Sequence, residues 1–134
     1  MFKVALGLVL LAHGTGHSLG LLQVFRVATI NPQWQGDSWL LSGITGSTVA
    51  QAIGVAVWTV ALVGFIAAAA VVFGTLPASW WEPVALASSV ASLLGLLFFP
   101  FAFPTLSTIG ALIVDLAVIF AVGWYHWVPA DLAS

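Results

Sequence analysis

The sequence predicts an all-α integral membrane protein, a bundle of four transmembrane helices with both termini on one side. Three observations predict it. The chain of 134 residues is 62% hydrophobic and only 4% charged, whereas soluble domains carry about a quarter charged residues. Its apolar residues fall into four runs of spanning length, about 20 residues each. Polar or proline-rich breaks separate those runs. A net charge of −2 with two basic residues excludes a phosphate-tracking nucleic-acid surface. The absence of cysteine excludes disulfides, thiolate metal sites and cysteine nucleophiles.

The spans are expected at about 2–25, 48–73, 80–99 and 106–127, within one domain covering 1–134. "MFKVALGLVLLA" begins like a signal peptide, but the apolar run continues to Phe25 and is long enough to cross a bilayer. "RVATINPQWQGDSW" opens an interfacial loop over 26–47. Within it, "DSWLLSGI" is expected as a short surface helix, with Trp34 and Trp39 at headgroup level. "TVAQ" reads as a capping box, Thr48 capping and Gln51 reaching back. "SWWE" reads as another, from Ser79 to Glu82, with Pro83 tolerated in the first turn. "PFAFPT" ends the third span.

Trp80, Trp81, Trp124 and Trp127 are expected to form an aromatic belt on the termini side. Lys3 lies on that side and Arg26 on the other, so the positive-inside rule has little to count. The expected location is the inner (plasma) membrane, with cytoplasmic termini.

Small residues recur at helical spacing. Ala85, Ser88, Ser92 and Gly95 share a stripe, and Gly16 and Gly20 lie four apart. Such stripes let helices approach closely in lipid. Packing within the chain is the expected use, with a homo-oligomer as the rival.

The polar groups inside the spans carry the functional question. His13 and His17 are about 40° apart on one helix face. Asp115 sits in the middle of the fourth span, with Thr108 within about 20° of it. His17 lies ~12 Å before the end of the first helix, and Asp115 ~13 Å after the start of the fourth on the same side. His13 lies ~6 Å further toward the termini. Gln51 begins the second helix on the His17 side, where it would cap the cluster. An isolated aspartate in hydrocarbon costs ~2.5–3.5 kcal/mol or more on insertion scales. Asp115 is therefore expected to pair with His17 or His13.

Four uses compete for that cluster. It can be a structural hydrogen-bond network. It can be a site for a lipophilic small molecule: a quinone, sterol, isoprenoid or lipid. It can supply acid–base chemistry, such as double-bond isomerisation or a step linked to oxidoreduction. Metal or haem ligation is disfavoured. "HGTGH" lacks the glutamate of HExxH, and His126, beside Trp124, Tyr125 and Trp127, is at the wrong depth for a second haem ligand. Transport by so small an unrepeated chain is disfavoured too. An accessory subunit of a larger membrane complex is the rival from a different class.

"LGLVLLAHGTGHSLGLLQVF" resembles the first helix of small bacterial four-helix membrane proteins, with their pattern apolar-HG-x-x-H-x-x-G-aromatic. "FPTLSTIGALIVDLAVI" resembles their last helix. Together they resemble the DoxX-like group. The resemblance implies a four-helix bundle in the bacterial inner membrane, and quinone-linked oxidoreduction is attached to some members. It carries over onto His13, Gly14, His17 and Gly20. Leu21 stands where the pattern has an aromatic, and no catalytic residue comes with the match.

Overall fold

A computed structural model describes residues 1–132. Among them every regular element is helical. Four helices are long and apolar enough to cross a membrane: Phe2–Val24, Ser47–Phe73, Ala78–Phe98 and Thr105–Trp124. Their outward faces carry residues such as Val9, Val60, Val63, Val90, Ile113 and Leu116, all substantially exposed. A water-soluble chain of this size does not leave so much contiguous apolar surface uncovered.

The first span is two helices, α1 (Phe2–Gly16) and α2 (Ser18–Val24), joined at His17. The backbone N–H of His17 donates to Gly14 O at 3.0 Å, which tightens the ladder there. The flanking hydroxyls explain the site of the turn. Thr15 Oγ1 donates to Leu11 O at 2.8 Å, and Ser18 Oγ to Thr15 O at 2.6 Å. Hydroxyls bonded back to the preceding turn compete with the backbone and bend helices.

The loop after α2 is more built than its composition suggests. Gln23 clamps it: Nε2 donates to Asn31 O at 2.8 Å, and Oε1 accepts from the Asn31 N–H at 2.8 Å. Trp34 is 8% exposed and packs edge-on to Trp58 and Phe99. It is a core residue and not the headgroup anchor its position in the loop suggested. Trp39 is exposed as expected. The short helix α3 spans Leu41–Thr45.

The long helix α4 (Ser47–Phe73) starts two residues earlier than the capping box required. Thr48 does not cap it; Gly46 precedes it, and Ser47 Oγ donates to Asp37 Oδ1 at 2.6 Å. A single 3₁₀ turn (Ala78–Trp80) leads into α5 (Trp81–Phe98). Ser79 sits inside that turn and caps nothing, while Pro83 occupies the first turn of α5 as read. The last span starts as α6 (Thr105–Val118) and widens into a π-helical segment, Ile119–Trp124.

The loop also finishes α5. The last carbonyls of a helix lack intrahelical donors. Ser38 Oγ donates to Phe98 O and Trp39 Nε1 to Leu97 O, each at 2.7 Å. Asn31 Nδ2 reaches Phe101 O just beyond, also at 2.7 Å.

Extensive helix contacts run from α1 to α4, α4 to α5 and α5 to α6. Phe2 meets Trp127 edge-on at 5.9 Å, bringing the start of α1 beside the end of the last span. Trp81 is 2% exposed and donates from Nε1 to Trp127 O at 3.0 Å. Trp81 thus belongs to the core and not to the belt, unlike the exposed Trp80 and Trp124.

The small residues divide by neighbour. A Cβ on Gly14 would fall 3.2 Å from Leu62 O, so α1 meets the α4 backbone there. Gly20 and Gly95 make room for a side chain instead. Their Cβ positions would lie 2.9 and 2.8 Å from the indole of fully buried Trp58. Gly16 has open space where its Cβ would be, and so mediates no close approach. Ser88 packs against Gly64 and turns its hydroxyl back to Val84 O.

Gly20→Ala is therefore expected to destabilise the protein by ~1–3 kcal/mol through overpacking against Trp58. Gly16→Ala, four residues earlier, should leave the thermal midpoint unchanged or raise it, since alanine is the better helix former. Thermal unfolding in one detergent checks the pair.

Candidate functional site

The polar cluster forms where α1, α5 and α6 meet. Asp115 is completely buried, and it is the one buried residue of α6. His13 Nε2 lies 2.7 Å from Asp115 Oδ1. Ser92 on α5 donates its hydroxyl to Asp115 Oδ2 at 2.5 Å. His17 Nε2 lies 2.9 Å from the same Ser92 oxygen.

Asp115 thus pairs directly with His13, not with His17. His17 joins through Ser92. Ser92, read from the sequence as a spacer in a small stripe, is the hub of the site. Four side chains from three spans make one connected network.

Ser92 links the protons of its neighbours. A hydroxyl has one hydrogen to give and lone pairs to accept with. With that hydrogen directed to Asp115, the Ser92 oxygen accepts from His17. A neutral His17 in that arrangement carries its proton on Nε2 and has a bare Nδ1. Among the described residues, that Nδ1 is buried and has no hydrogen-bond partner. Trp58 Nε1 and Ser89 Oγ are the other such buried atoms.

Aromatic rings set the histidine planes. The His17 ring is nearly parallel to Phe65, 8° apart, with centroids 6.4 Å apart. Phe103 meets it edge-on at 6.2 Å. His13 stands edge-on to Phe65 at 4.4 Å. Such contacts restrain ring rotation.

Beside the network runs a cleft of about 240 Å³. His13 and His17 line it, with Gly16, Phe103, Ser107 and Ala111. The bare Gly16 leaves the α1 wall low. On the termini side of the same α1–α6 seam lies a wider apolar cleft of about 410 Å³, lined by Leu6, Leu10, Trp81, Val118 and Trp127 among others. The His13–Asp115 bond stands where the seam closes.

Two residues assigned to the cluster are elsewhere. Gln51 turns toward the loop, against Gly36, and lines a loop pocket instead. It is the fifth residue of α4, on the loop side of that helix. Thr108 folds its hydroxyl back to Pro104 O at 3.3 Å. Its neighbour Ser107 faces the cleft. The His126 side chain is 73% exposed, 3.5 Å from Glu82. Among the described residues no three His, Asp or Glu side chains gather closely enough to hold a metal ion.

Compared with known proteins, the chain matches no family model, no curated protein and no solved structure.

Ser92→Ala leaves Asp115 Oδ2 and His17 Nε2 without their partner, an expected loss of ~1–3 kcal/mol. Ser88→Ala should lose less, because that hydroxyl serves only its own helix. A double-mutant cycle on His13 and Asp115 should give a coupling of ~0.5–3 kcal/mol, and one on Thr108 and Asp115 near zero. Denaturation in mixed micelles reads all of these.

Proposed function

We propose that this chain is a multi-pass membrane protein, a four-helix bundle with both termini on one face of the bilayer, that binds a lipophilic molecule in the α1–α6 cleft. The ligand class is a hydrophobic molecule with a hydroxyl head: a quinol, sterol, isoprenol or lipid. The observation that carries this reading is the buried His17 Nδ1, an acceptor without a partner in a residue that lines the cleft. An unmatched buried acceptor costs about 1–3 kcal/mol. A ligand hydroxyl entering the cleft would displace the wall that encloses this atom and donate to it.

The cleft supports the same reading. A volume of about 240 Å³ suits a ring or head, while the apolar remainder of the molecule extends along the seam. Ligand sites are mostly apolar with few convergent polar groups, and this wall has that composition.

A second reading is favoured by the density of the network. His13, Ser92 and Asp115 satisfy one another, as structural glue between helices does. Under that reading the cleft holds only acyl chains of bulk lipid.

Mass spectrometry of organic extracts from purified protein separates the two. His17→Phe keeps a ring stacked on Phe65 and removes the acceptor. Gly16→Leu fills the low wall without touching the network. The wild type is expected to retain a hydroxyl-bearing lipophile near one per chain, and both variants about tenfold less or lower. Equal extracts from all three would leave only the structural role.

A further inference from the structure

We infer that the loop pocket at the other end of the first span is a binding site for a phosphate-bearing anionic group, organised by Arg26. This site is separate from the histidine cleft and does not depend on its function.

Three observations converge on it. The first is backbone conformation. Arg26 has φ of +58°, one of two non-glycine residues with positive φ among those described. It occupies the left-handed position that ends α2. The Arg26 N–H donates to Gln23 O at 3.0 Å, and the Val27 N–H to Leu22 O at 2.8 Å. That pattern is the helix stop in which glycine is the usual residue. The same stop closes α4, and there the residue is Gly74, at φ +81°. A side chain at such a position carries a strain that glycine avoids. The chain holds an arginine where a glycine would fit better.

The second is the pocket. Arg26 lines a recess of about 380 Å³ together with Gln23, Thr29, Asn31, Gln35 and Gln51. No carboxylate lines it. Gln35, Gln51 and Thr29 around one guanidinium offer donors to an anion, while the Gln23 and Asn31 amides bond backbone carbonyls and hold the wall. Much of the loop wall is held in shape by Gln23, whose amide bonds Asn31 and the Ile30 N–H. The recess is thus built before any ligand arrives.

The third is charge and depth. Among the described residues Arg26 has no ion-pair partner; the ion pairs found are His13 with Asp115 and His126 with Glu82. Arg26 is also the chain's only arginine. It lies two residues beyond the end of the first spanning segment, the level at which lipid headgroups begin. Guanidinium binds phosphate with two parallel hydrogen bonds. The favourable charge at a helix C-terminus is the simpler role for Arg26, and lysine would serve it equally.

The phosphate can come from a phospholipid headgroup or from a soluble phosphate compound. The test is native mass spectrometry and thermal unfolding of the full chain in neutral detergent, titrated with phosphatidylglycerol, phosphatidylcholine or inorganic phosphate. Phosphatidylglycerol should bind saturably and raise the unfolding midpoint, with phosphatidylcholine about tenfold weaker or worse. A midpoint raised by inorganic phosphate alone assigns the site to a soluble source, and one raised only by phosphatidylglycerol assigns it to lipid. Arg26→Gly should unfold at the same or a higher temperature without ligand, yet lose the anion-dependent shift. Arg26→Lys should keep only part of it. Gln51→Leu, on α4 and away from the helix stop, should weaken the anion without changing the response to phosphatidylcholine. Equal binding of the two lipids with no phosphate response, or an anion shift that survives Arg26→Gly, overturns the proposal.

Discussion

Asp115 constrains this molecule more than any other residue. It is the one buried residue of α6, on the least enclosed of the four spans: 17% of that span's most apolar window is buried, against 39% for α4 and for α5. Most of α6 therefore faces outward with aliphatic side chains, which in lipid have no preference for one neighbour over another. A carboxyl group does have a preference. It must find hydrogen-bond partners or bear a penalty of kcal/mol size in hydrocarbon. Ser92 and His13 supply them, from α5 and α1. Because one residue along a helix is a 100° rotation, those two bonds set both the rotation and the depth of α6.

The same bonds explain why a cleft exists. Between α1 and α6 there is a side-chain bridge where the other neighbouring helices have broad contact surfaces. Space remains on both sides of the bridge. The low wall at Gly16 and the aromatic pair Phe65 and Phe103 then shape the histidine side of that space. Elsewhere the fold is tight: Trp58 is completely enclosed, with glycines of α2, α4 and α5 making room for its ring and for Phe99. The loose seam is local.

The spans were legible because apolar run length is a strong signal with few competitors, and their limits differ from the observed ones by at most three residues. The Asp–His pairing was legible from depth and helical angle. Choosing between His13 and His17 was not, because they differ by one turn, comparable to the uncertainty of a helix end. Ser92 was missed for a chemical reason: serine in a membrane helix serves either as a small spacer or as a hydroxyl, and spacing alone supports the first. The signal available was three serines, Ser88, Ser89 and Ser92, in one apolar span. Gln51 and Thr108 were placed by sequence position, but the Thr108 hydroxyl bonds its own helix start, and Gln51 lies against Gly36 of the loop. Trp34 and Trp81 were read as interfacial because tryptophan suits both interface and core. Only the folded loop and the returning chain end, which cover those rings, distinguish the two.

The most direct test of this account is a solid-state NMR distance measurement in lipid bilayers, from the Asp115 carboxyl carbon to the Nε2 atoms of His13 and His17. A short His13 distance, a longer His17 distance, and ¹⁵N shifts marking His17 as protonated on Nε2 and bare on Nδ1 are the expected result. A carboxyl carbon remote from both histidines, or closer to His17 than to His13, would contradict it.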